Sequence, residues 1–384
     1  MLTLDFSWND DQVRLYKSTV EFAQKELNDG LGDRDKKSEF NLSGWRKCGE
    51  VGILGLPVPE SYGGSAQDVL TTVHVLEALG YGCKDNGLIF SINAHLWSGV
   101  EPLLTFGTDA QRQQFLPRMC SGELIGGNAT SEPESGSDAY SMRTTAVKKG
   151  DRYVLNGSKL FITNAPVADM LIVFANLDPE MRPRGVSAFI VEKGTAGFIV
   201  NRKVEKMGIR TSPMGELFFD NCEVPETNRL GREGSGMAIF SHAMEWERAF
   251  ILASAVGAME RQLEATVKYT KRRKQFGQPV AKFQLVSSKL VDMKIRLETA
   301  RQLIYKVAWL KQSGRSIFME AAMAKLYISE SWLQSSLDAL QLHGGYGYLT
   351  EMDLEREVRD AIGSRIYSGT SEIQRQIIAQ FMGL

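Results

Sequence analysis

Apolar residues at helical spacing dominate both ends of the chain. Near the N-terminus, five of them are separated by three or four positions and share one helix face: Val13, Tyr16, Val20, Ala23 and Leu27. Asn9 precedes this stripe and two aspartates follow Asn9, as is typical of a capped helix N-terminus. Further helices are predicted over 43–51, 66–82, 86–105 and 109–120.

The middle of the chain has a different pattern, in which short aliphatic and aromatic runs are bounded by Gly, Pro and Asp. Strands are predicted over 152–162, 170–175, 186–191 and 216–219. Within the first run, Asn156-Gly157 separates two β-rich segments and predicts a hairpin turn. Strands at this spacing, without helices between them, predict a compact antiparallel, barrel-like domain.

The helical pattern returns after Gly236 and continues to the end. One stripe is unusually regular: Val286, Leu290, Met293, Leu297, Ala300, Ile304 and Val307. It predicts long, nearly antiparallel helices in a four-helix bundle. The expected fold is therefore α+β, with an all-α domain over 1–121, a β domain over 122–232 and a helical bundle over 233–384.

Composition and charge exclude several classes of protein. The 384 residues include 45 Lys and Arg against 46 Asp and Glu, which gives a net charge of −1 and argues against nucleic-acid or anionic-membrane partners. No apolar run reaches the roughly 18 residues of a membrane span, and residues 1–6 show no signal-peptide pattern. Because the four cysteines form no C-x-x-C, a reducing, cytoplasmic location is expected.

Familiar catalytic motifs are absent. The sequence has no H-E-x-x-H, P-loop, G-x-S-x-G or EF-hand loop, and no G-x-G-x-x-G between a strand and a helix. The four histidines are scattered, so surface or satisfied core positions are favoured over ligation, and no metal site is predicted.

Five clusters remain that suit a polar, flat or phosphate-bearing ligand. They are Asn128–Asp138, Phe161–Asn164, Arg272–Gln284, Gln341–Tyr348 and Ile366–Gln374. The second places an aromatic ring two residues before a hydroxyl, which suits stacking on a heterocycle, and the third is basic enough for a pyrophosphate. Taken singly, each cluster is equally explained by a capped turn, a strand end or a helix terminus.

Taken together, in this order and spacing, the clusters resemble the acyl-CoA dehydrogenase family over essentially the whole chain. The resemblance implies a three-domain subunit with one non-covalent FAD, usually in a homotetramer. The residues it places near the flavin are Thr130, Ser131, Gly136, Ser137, Phe161 and Thr163. Those it places on the FAD of a neighbouring subunit are Arg273, Phe276, Gln284, Gln341 and Gly345, while Thr370 and Glu372 would lie by the adenosine end and the pyrophosphate.

The resemblance also implies a catalytic base, because the family removes an α-proton from a thioester. Many members carry it as the Glu of a Tyr-Glu-Gly-Thr motif, but Ser368 occupies that position here. Glu247, directly before Arg248, matches the base of the isovaleryl- and long-chain-type members. Glu245 lies about 200° away around the helix, so it cannot face the same substrate. The alternative for Glu247 is an ordinary pairing with a helical neighbour.

Three further residues are predicted to contact the substrate. Ser137 matches a position that touches pantetheine, Arg248 matches a nearly universal family arginine, and the Ser368 N–H would serve as an oxyanion donor.

The substrate class is indicated by finer resemblance. The segments 244–247, 90–95 and 161–169 resemble the carrier-protein-linked subgroup, above all prolyl-carrier-protein dehydrogenases, whereas 206–213 resembles the general acyl-CoA pattern. The expected reaction is dehydrogenation of a prolyl or branched acyl group on a carrier protein in a secondary-metabolite pathway. Electron-transfer flavoprotein or oxygen would be the acceptor. The alternatives are a branched- or short-chain acyl-CoA dehydrogenase, a flavin oxidase or monooxygenase, and a helical binding protein that has lost its flavin.

Overall fold

The helical N-terminal region begins with the predicted cap. The computed structural model describes residues 7–181 and 184–384, so the prediction about residues 1–6 lies outside the described residues. The Asn9 side chain accepts from the Gln12 N–H and the Gln12 side chain accepts from the Asn9 N–H, which forms a capping box. The helices of this region are α1 (Asp10–Glu26), α2 (Leu31–Lys37), α3 (Leu42–Glu50), α4 (Val69–Gly82), α5 (Asn86–Ala94), α6 (Glu101–Phe106) and α7 (Asp109–Cys120).

The predicted helix over 86–105 is irregular at its centre. A π-helical segment, His95–Val100, joins α5 to α6. Such segments are rare and are frequently found at functional sites, because the wider turn re-aims the side chains it carries.

The middle region is a sheet built around β3 and β7. Its strands are β1 (Gly126–Ala129), β2 (Thr145–Lys149), β3 (Arg152–Thr163), β4 (Met170–Asn176), β5 (Val186–Glu192), β6 (Phe198–Lys203), β7 (Met214–Pro225) and β8 (Arg229–Leu230). The order is β6-β7-β3-β2-β4-β5-β8, and β1 lies beside β4. Most neighbours are antiparallel as expected, but β1 and β2 both run parallel to β4.

The hairpin predicted at Asn156-Gly157 is wrong, because β3 runs through both residues without turning. The dipeptide instead lies at a β-bulge, where the register with β7 shifts between Leu155 and Gly157. Gly157 has φ +145°, and a Cβ there would come within 2.7 Å of the Thr144 hydroxyl. The actual hairpin turn is at Gly150, between β2 and β3. A glycine signal therefore marked a bulge and not a chain reversal.

The C-terminal region is helical. After β8 come α8 (Gly236–Phe250), α9 (Ala253–Arg272), a short hairpin of β9 (Lys274–Gln275) and β10 (Gln278–Pro279), then α10 (Gln284–Gln312), α11 (Phe318–His343), α12 (Leu354–Gly363) and α13 (Ser371–Phe381). The stripe predicted on α10 is confirmed, because Met293, Leu297, Ala300, Ile304 and Val307 are buried in the bundle. The domain boundaries at 121/122 and 232/233 stay predictions.

The two helical regions share one hydrophobic core, in which α4 packs directly against α9. Two glycines permit this approach. A Cβ on Gly80 would meet the Ser254 carbonyl oxygen at 1.9 Å, and one on Gly257 would meet the Glu77 carbonyl oxygen at 2.0 Å. Any side chain at either position would force the helices apart. Among the described residues, every helix is too short or too polar to cross a bilayer.

A buried carboxyl joins the three regions. Asp360 on α12 accepts hydrogen bonds from the Ile209 N–H, 2.5 Å away, and from Asn86 Nδ2, 3.0 Å away. Burial raises the pKa of Asp360 to about 6. Because its partners come from α5 and from the segment before β7, this contact fixes the β region against both helical regions.

Candidate active site

Glu247 is a buried carboxylate held by two hydroxyl groups. Its residue is 9% exposed on α8. Ser98 Oγ donates to Oε2 at 2.6 Å, and Ser368 Oγ donates to Oε1 at 2.5 Å. None of the ion pairs among the described residues involves Glu247, so it is not a helical salt-bridge residue. A buried carboxylate outside any ion pair is energetically costly, and groups of this kind are concentrated at functional sites.

Glu245 has entirely different surroundings. Its Oε1 accepts from the Ile317 N–H at 2.9 Å, and its Oε2 pairs with Lys311 Nζ at 3.2 Å. The predicted separation of the two carboxylates around α8 is therefore confirmed. Glu245 is thus held by a backbone N–H and a lysine cation, whereas the hydrogen-bond donors to Glu247 are two neutral hydroxyls.

The turn carrying Ser368 is strained and firmly held. Ser368 has φ +56° and Gly369 has φ +90°. The Ser368 carbonyl accepts from Gln374 Nε2 at 3.1 Å and from Arg248 Nε at 3.4 Å. The Gly369 carbonyl accepts from Gln374 Nε2 at 2.8 Å and from Lys325 Nζ at 2.7 Å. Strained backbone of this kind persists only where its surroundings over-determine it.

The Ser368 N–H is available to a ligand. None of the hydrogen bonds among the described residues uses it, whereas both nearby carbonyls are occupied. The geometry therefore leaves a backbone donor beside Glu247, as the predicted oxyanion contact requires.

Lys325 and Arg248 make this part of the site electropositive. Burial and the neighbouring Arg248 charge lower the pKa of Lys325 to about 7. Burial also lowers the pKa of Arg248, although the carboxylate of Glu247 acts in the opposite direction. The Lys325 ammonium lies 6.0 Å from the centre of the Tyr367 ring. Sequence reasoning missed Lys325 because a lysine within an amphipathic helix reads as a surface residue.

A second group lies at the end of β3, where the flavin ring was predicted. Phe161 is 56% exposed and has φ +62°, an unusual conformation for an aromatic residue. Thr163, two residues further, is half-buried. Thr130 is buried, and its Oγ1 has no hydrogen-bond partner among the described residues. An exposed ring beside an unsatisfied hydroxyl fits a flat, polar-edged heterocycle.

A buried ion pair fixes the loop that carries Thr130. Lys159 Nζ donates to the Thr130 carbonyl at 3.0 Å and pairs with Glu132 at 2.9 Å, and both side chains are almost fully buried. Burial lowers the pKa of Lys159 to about 8. Burial opposes ionisation of Glu132 too, but Lys159 and the donors of Thr144 outweigh it and lower the pKa. The Leu160 N–H also donates to the Ser131 carbonyl, so loop and strand are locked together.

Gly136 and Ser137 lie further along the same loop. Both are exposed, and a Cβ on Gly136 would meet no atom within 4 Å. Ser131 is half-buried. Their predicted contacts with flavin and pantetheine stay predictions.

A third group surrounds a cavity of about 750 Å³ beside α9 and α11. Arg273, Gln341 and Gly345 line it, and the Arg273 guanidinium lies 5.9 Å from the centre of the Tyr346 ring. The structure therefore brings together three of the five residues predicted to hold a neighbouring subunit's FAD.

The other two are exposed residues outside that lining. Phe276 is 93% exposed and contacts Phe283 with ring centres 6.0 Å apart, and Gln284 is the first residue of α10.

Thr370 and Glu372 begin α13. Thr370 Oγ1 accepts from the Ile373 N–H at 3.3 Å, which confirms the N-cap interpretation of this cluster. Glu372 is exposed in the first turn of the helix. Their roles towards the adenosine end and the pyrophosphate stay predictions.

The histidines have structural surroundings. His95 Nδ1 accepts from the Gly126 N–H at 3.0 Å, and burial lowers its pKa to about 3, so the ring is neutral. His74 stacks on Trp8, and burial lowers its pKa to about 4. Among the residues that the structure describes, no group of three or more His, Cys, Asp or Glu side chains could hold a metal ion.

Three family models match the chain in succession. They are the N-terminal domain of acyl-CoA dehydrogenase over residues 9–123, the middle domain over 127–222 and the C-terminal domain over 234–383. The chain therefore belongs to the acyl-CoA dehydrogenase family of FAD-dependent oxidoreductases, as its sequence motifs predicted.

Individual relatives are similar over their full length. The L-prolyl-[peptidyl-carrier protein] dehydrogenase of Pseudomonas fluorescens is 40% identical, covering 99% of this chain and 100% of the relative. An acyl-CoA dehydrogenase of Bacillus subtilis is 44% identical, covering 97% and 98%.

Two solved structures have nearly the same fold. The crystal structure of the prolyl acyl carrier protein oxidase AnaB superimposes with a TM-score of 0.97 at 53% identity, covering 98% of this chain and 100% of AnaB. The structure of PigA with FAD and proline gives a TM-score of 0.97 at 40% identity, covering 99% and 100%.

Proposed function

We propose that this protein dehydrogenates an aminoacyl or acyl thioester between its α- and β-carbons, with a prolyl group on a carrier protein as the favoured substrate. A secondary-metabolite pathway is the expected context. The observation that carries the proposal is the surroundings of Glu247. This buried carboxylate forms no ion pair among the described residues, and it lies next to a strained turn whose Ser368 N–H takes part in none of their hydrogen bonds. The likeness to AnaB and to the P. fluorescens enzyme supports the carrier-protein substrate.

The chemistry is divided between cofactor and protein. FAD, when bound, supplies the acceptor for the hydride that leaves the β-carbon. Glu247 takes the α-proton: the Cα–H bond breaks, an O–H bond forms on the carboxylate, and the electron pair remains to form the carbon–carbon double bond. The Ser368 N–H donates to the thioester oxygen, where negative charge develops. Arg248 holds the Ser368 carbonyl and so keeps this N–H in place.

The proposed FAD contacts come from two groups. The flavin ring would contact Thr130, Ser131, Gly136, Ser137, Phe161 and Thr163, with Ser137 also touching the pantetheine arm. The adenosine and pyrophosphate end would be held by Arg273, Phe276, Gln284, Gln341 and Gly345 of a neighbouring copy and by Thr370 and Glu372. The unpartnered Thr130 hydroxyl and the cavity beside Arg273 support this arrangement.

This arrangement requires an oligomer, for which we propose a homotetramer. Exposed apolar side chains close to Arg273 support it, including Phe276, Leu285 and Tyr346. Light scattering of the purified flavoprotein measures the assembly. We further propose a cytoplasmic location, which the four unpaired, buried cysteines support.

The decisive experiment is anaerobic bleaching of the flavin with matched thioesters. Prolyl and isobutyryl groups are each loaded on a carrier protein and on CoA, and the absorbance of oxidised flavin is followed after rapid mixing. We expect prolyl-carrier protein to bleach the flavin fastest. Faster bleaching by both CoA thioesters would overturn the carrier-protein assignment and favour the second candidate.

That second candidate is a short- or branched-chain acyl-CoA dehydrogenase. The 44% identity with the B. subtilis acyl-CoA dehydrogenase favours it, as does the general acyl-CoA pattern of residues 206–213.

The electron acceptor is either electron-transfer flavoprotein or oxygen, because one relative is named a dehydrogenase and AnaB an oxidase. Admitting air after anaerobic bleaching separates them. Rapid reoxidation with release of peroxide indicates oxygen, and slow reoxidation indicates a protein acceptor.

A further inference from the structure

Ser98 lies on the π-helical segment between α5 and α6 and is 5% exposed. The neighbouring Trp97 anchors this segment against α8. Its ring stacks on Trp246 with centres 5.7 Å apart, and its Nε1 donates to Asn93 Oδ1 at 3.1 Å. The segment is therefore held in register with α8, and Ser98 comes to lie opposite Glu247.

The two hydroxyl groups that donate to Glu247 come from the two helical regions of the chain. Ser368, whose own N–H is unused, belongs to the turn before α13, whereas Ser98 belongs to the N-terminal helical region. Each carboxylate oxygen has one hydroxyl donor, so rotation of the carboxylate is restrained from both sides. Removal of either donor leaves only one directional contact, because no ion pair reaches Glu247 within the part of the chain that the structure describes.

We infer that Ser98 is a positioning residue that orients Glu247 for proton abstraction. A hydroxyl suits this task better than a cation, because it can donate to the carboxylate and, after rotation, accept from the protonated acid. The base is thus held both before and after it takes the proton, and the neutral hydroxyl adds no charge to those of Arg248 and Lys325 nearby. The inference rests on Glu247 being the base in the proposed function, but it holds for either a carrier-protein or a CoA thioester.

The test compares Ser98→Ala with Ser98→Thr in the FAD-loaded protein by anaerobic rapid mixing. We expect the limiting rate of flavin reduction in Ser98→Ala to fall by about 10- to 100-fold, since small misplacements of reacting groups have effects of this size. The thioester dissociation constant should change by less than about twofold, because only Glu247 is moved. Ser98→Thr, which keeps the hydroxyl, should restore most of the rate.

Ser91→Ala is the matched control. Ser91 is also buried on α5 and exchanges a hydroxyl hydrogen bond of 2.7 Å with Ser212, away from Glu247. It should bleach at the wild-type rate. If Ser98→Ala does not fold, Ser98→Cys, with a weaker donor, provides the same comparison.

Three results would overturn the inference: an unchanged rate in Ser98→Ala, a loss confined to the dissociation constant, or a loss seen with prolyl but not with isobutyryl thioester. The last two would make Ser98 a substrate contact. If the Glu247→Gln variant still bleached the flavin at the normal rate, Glu247 would not be the base and the proposed function itself would fail. The failure of the inference on Ser98 can therefore be distinguished from the failure of the proposed function.

Discussion

The surroundings of Glu247 and the cavity beside Arg273 differ in how much of each is completed within one chain. Around Glu247, the described part of the chain supplies a donor to each carboxylate oxygen, one from the π-helical segment and one from the turn at Ser368. The cavity beside Arg273 opens to the surface and is flanked by a 93% exposed Phe276. The contrast indicates that substitutions in the first region alter rates, whereas substitutions in the second alter cofactor retention and assembly.

The largest effect is expected for Glu247→Gln, which removes the base without changing the size of the side chain. The limiting rate of flavin reduction should fall by about 10²- to 10⁴-fold, while the flavin stays bound. Glu245→Gln is the matched control and should keep a rate near that of the wild type, because Glu245 pairs with Lys311. Stopped-flow absorbance measures both. Normal bleaching by Glu247→Gln would move the base to another residue.

The next largest effect is on stability. Lys159→Met leaves Glu132 buried without its cation, and the free energy of unfolding should fall by about 3–5 kcal/mol. Lys148→Met, which removes a partly exposed ion pair with Glu226 in the turn after β7, should lower the free energy of unfolding much less, because water screens that pair. Urea denaturation of the two variants makes the comparison. Equal losses would show that the buried pair does not stabilise the loop at Thr130.

Arg273→Ala tests the second region, the cavity beside Arg273. We expect FAD affinity to fall by about 10- to 100-fold, the size of a hydrogen bond to a charged group, while any enzyme reloaded with FAD bleaches normally. Equilibrium dialysis measures the affinity. Lys271→Ala, an exposed basic residue in the last turn of α9, should retain the cofactor. A slower limiting rate in reloaded Arg273→Ala would contradict the division between the two regions.

The smallest effect concerns pH. The pKa of Lys325 is about 7 in the folded protein, against an ordinary value of 10.5. Between these values the unfolded chain binds more protons, so this residue makes stability rise with pH by up to about 1.4 kcal/mol per unit. Lys325→Met should lose that rise between pH 7 and 9, while exposed Lys306→Met should keep it. Urea midpoints across this range decide the matter, and parallel curves for all three proteins would refute it.

Periodicity was sufficient for the elements whose packing it determines. The stripe on α10 and the cap at Asn9 follow from local chemistry, so both were predictable. The bulge at Gly157 was not, because a glycine between two strands serves a turn and a bulge equally well, and only pairing with β7 distinguishes them.

The residues of the site also include some that the sequence predicts and some that it does not. Glu247 could be predicted as the base from two observations. It directly precedes Arg248, as the base does in some family members, and Ser368 occupies the position where other members carry the glutamate. Ser98 could not, because the π-helical turn that directs it towards Glu247 has no sequence signal. Lys159 and Lys325 are buried only through tertiary contacts, so the sequence alone does not distinguish them from exposed lysines.

The glycine crossing of α4 and α9 has a mechanical consequence. At Gly80 and Gly257 the two backbones touch without side chains between them, so no rotamer change can absorb a displacement. α9 follows α8 after only two residues, and α8 carries the base. A single added methyl group at Gly80 would therefore displace α9 and, with it, Glu247 relative to its hydroxyl partners. Such a substitution would lower the activity although it changes no residue of the site.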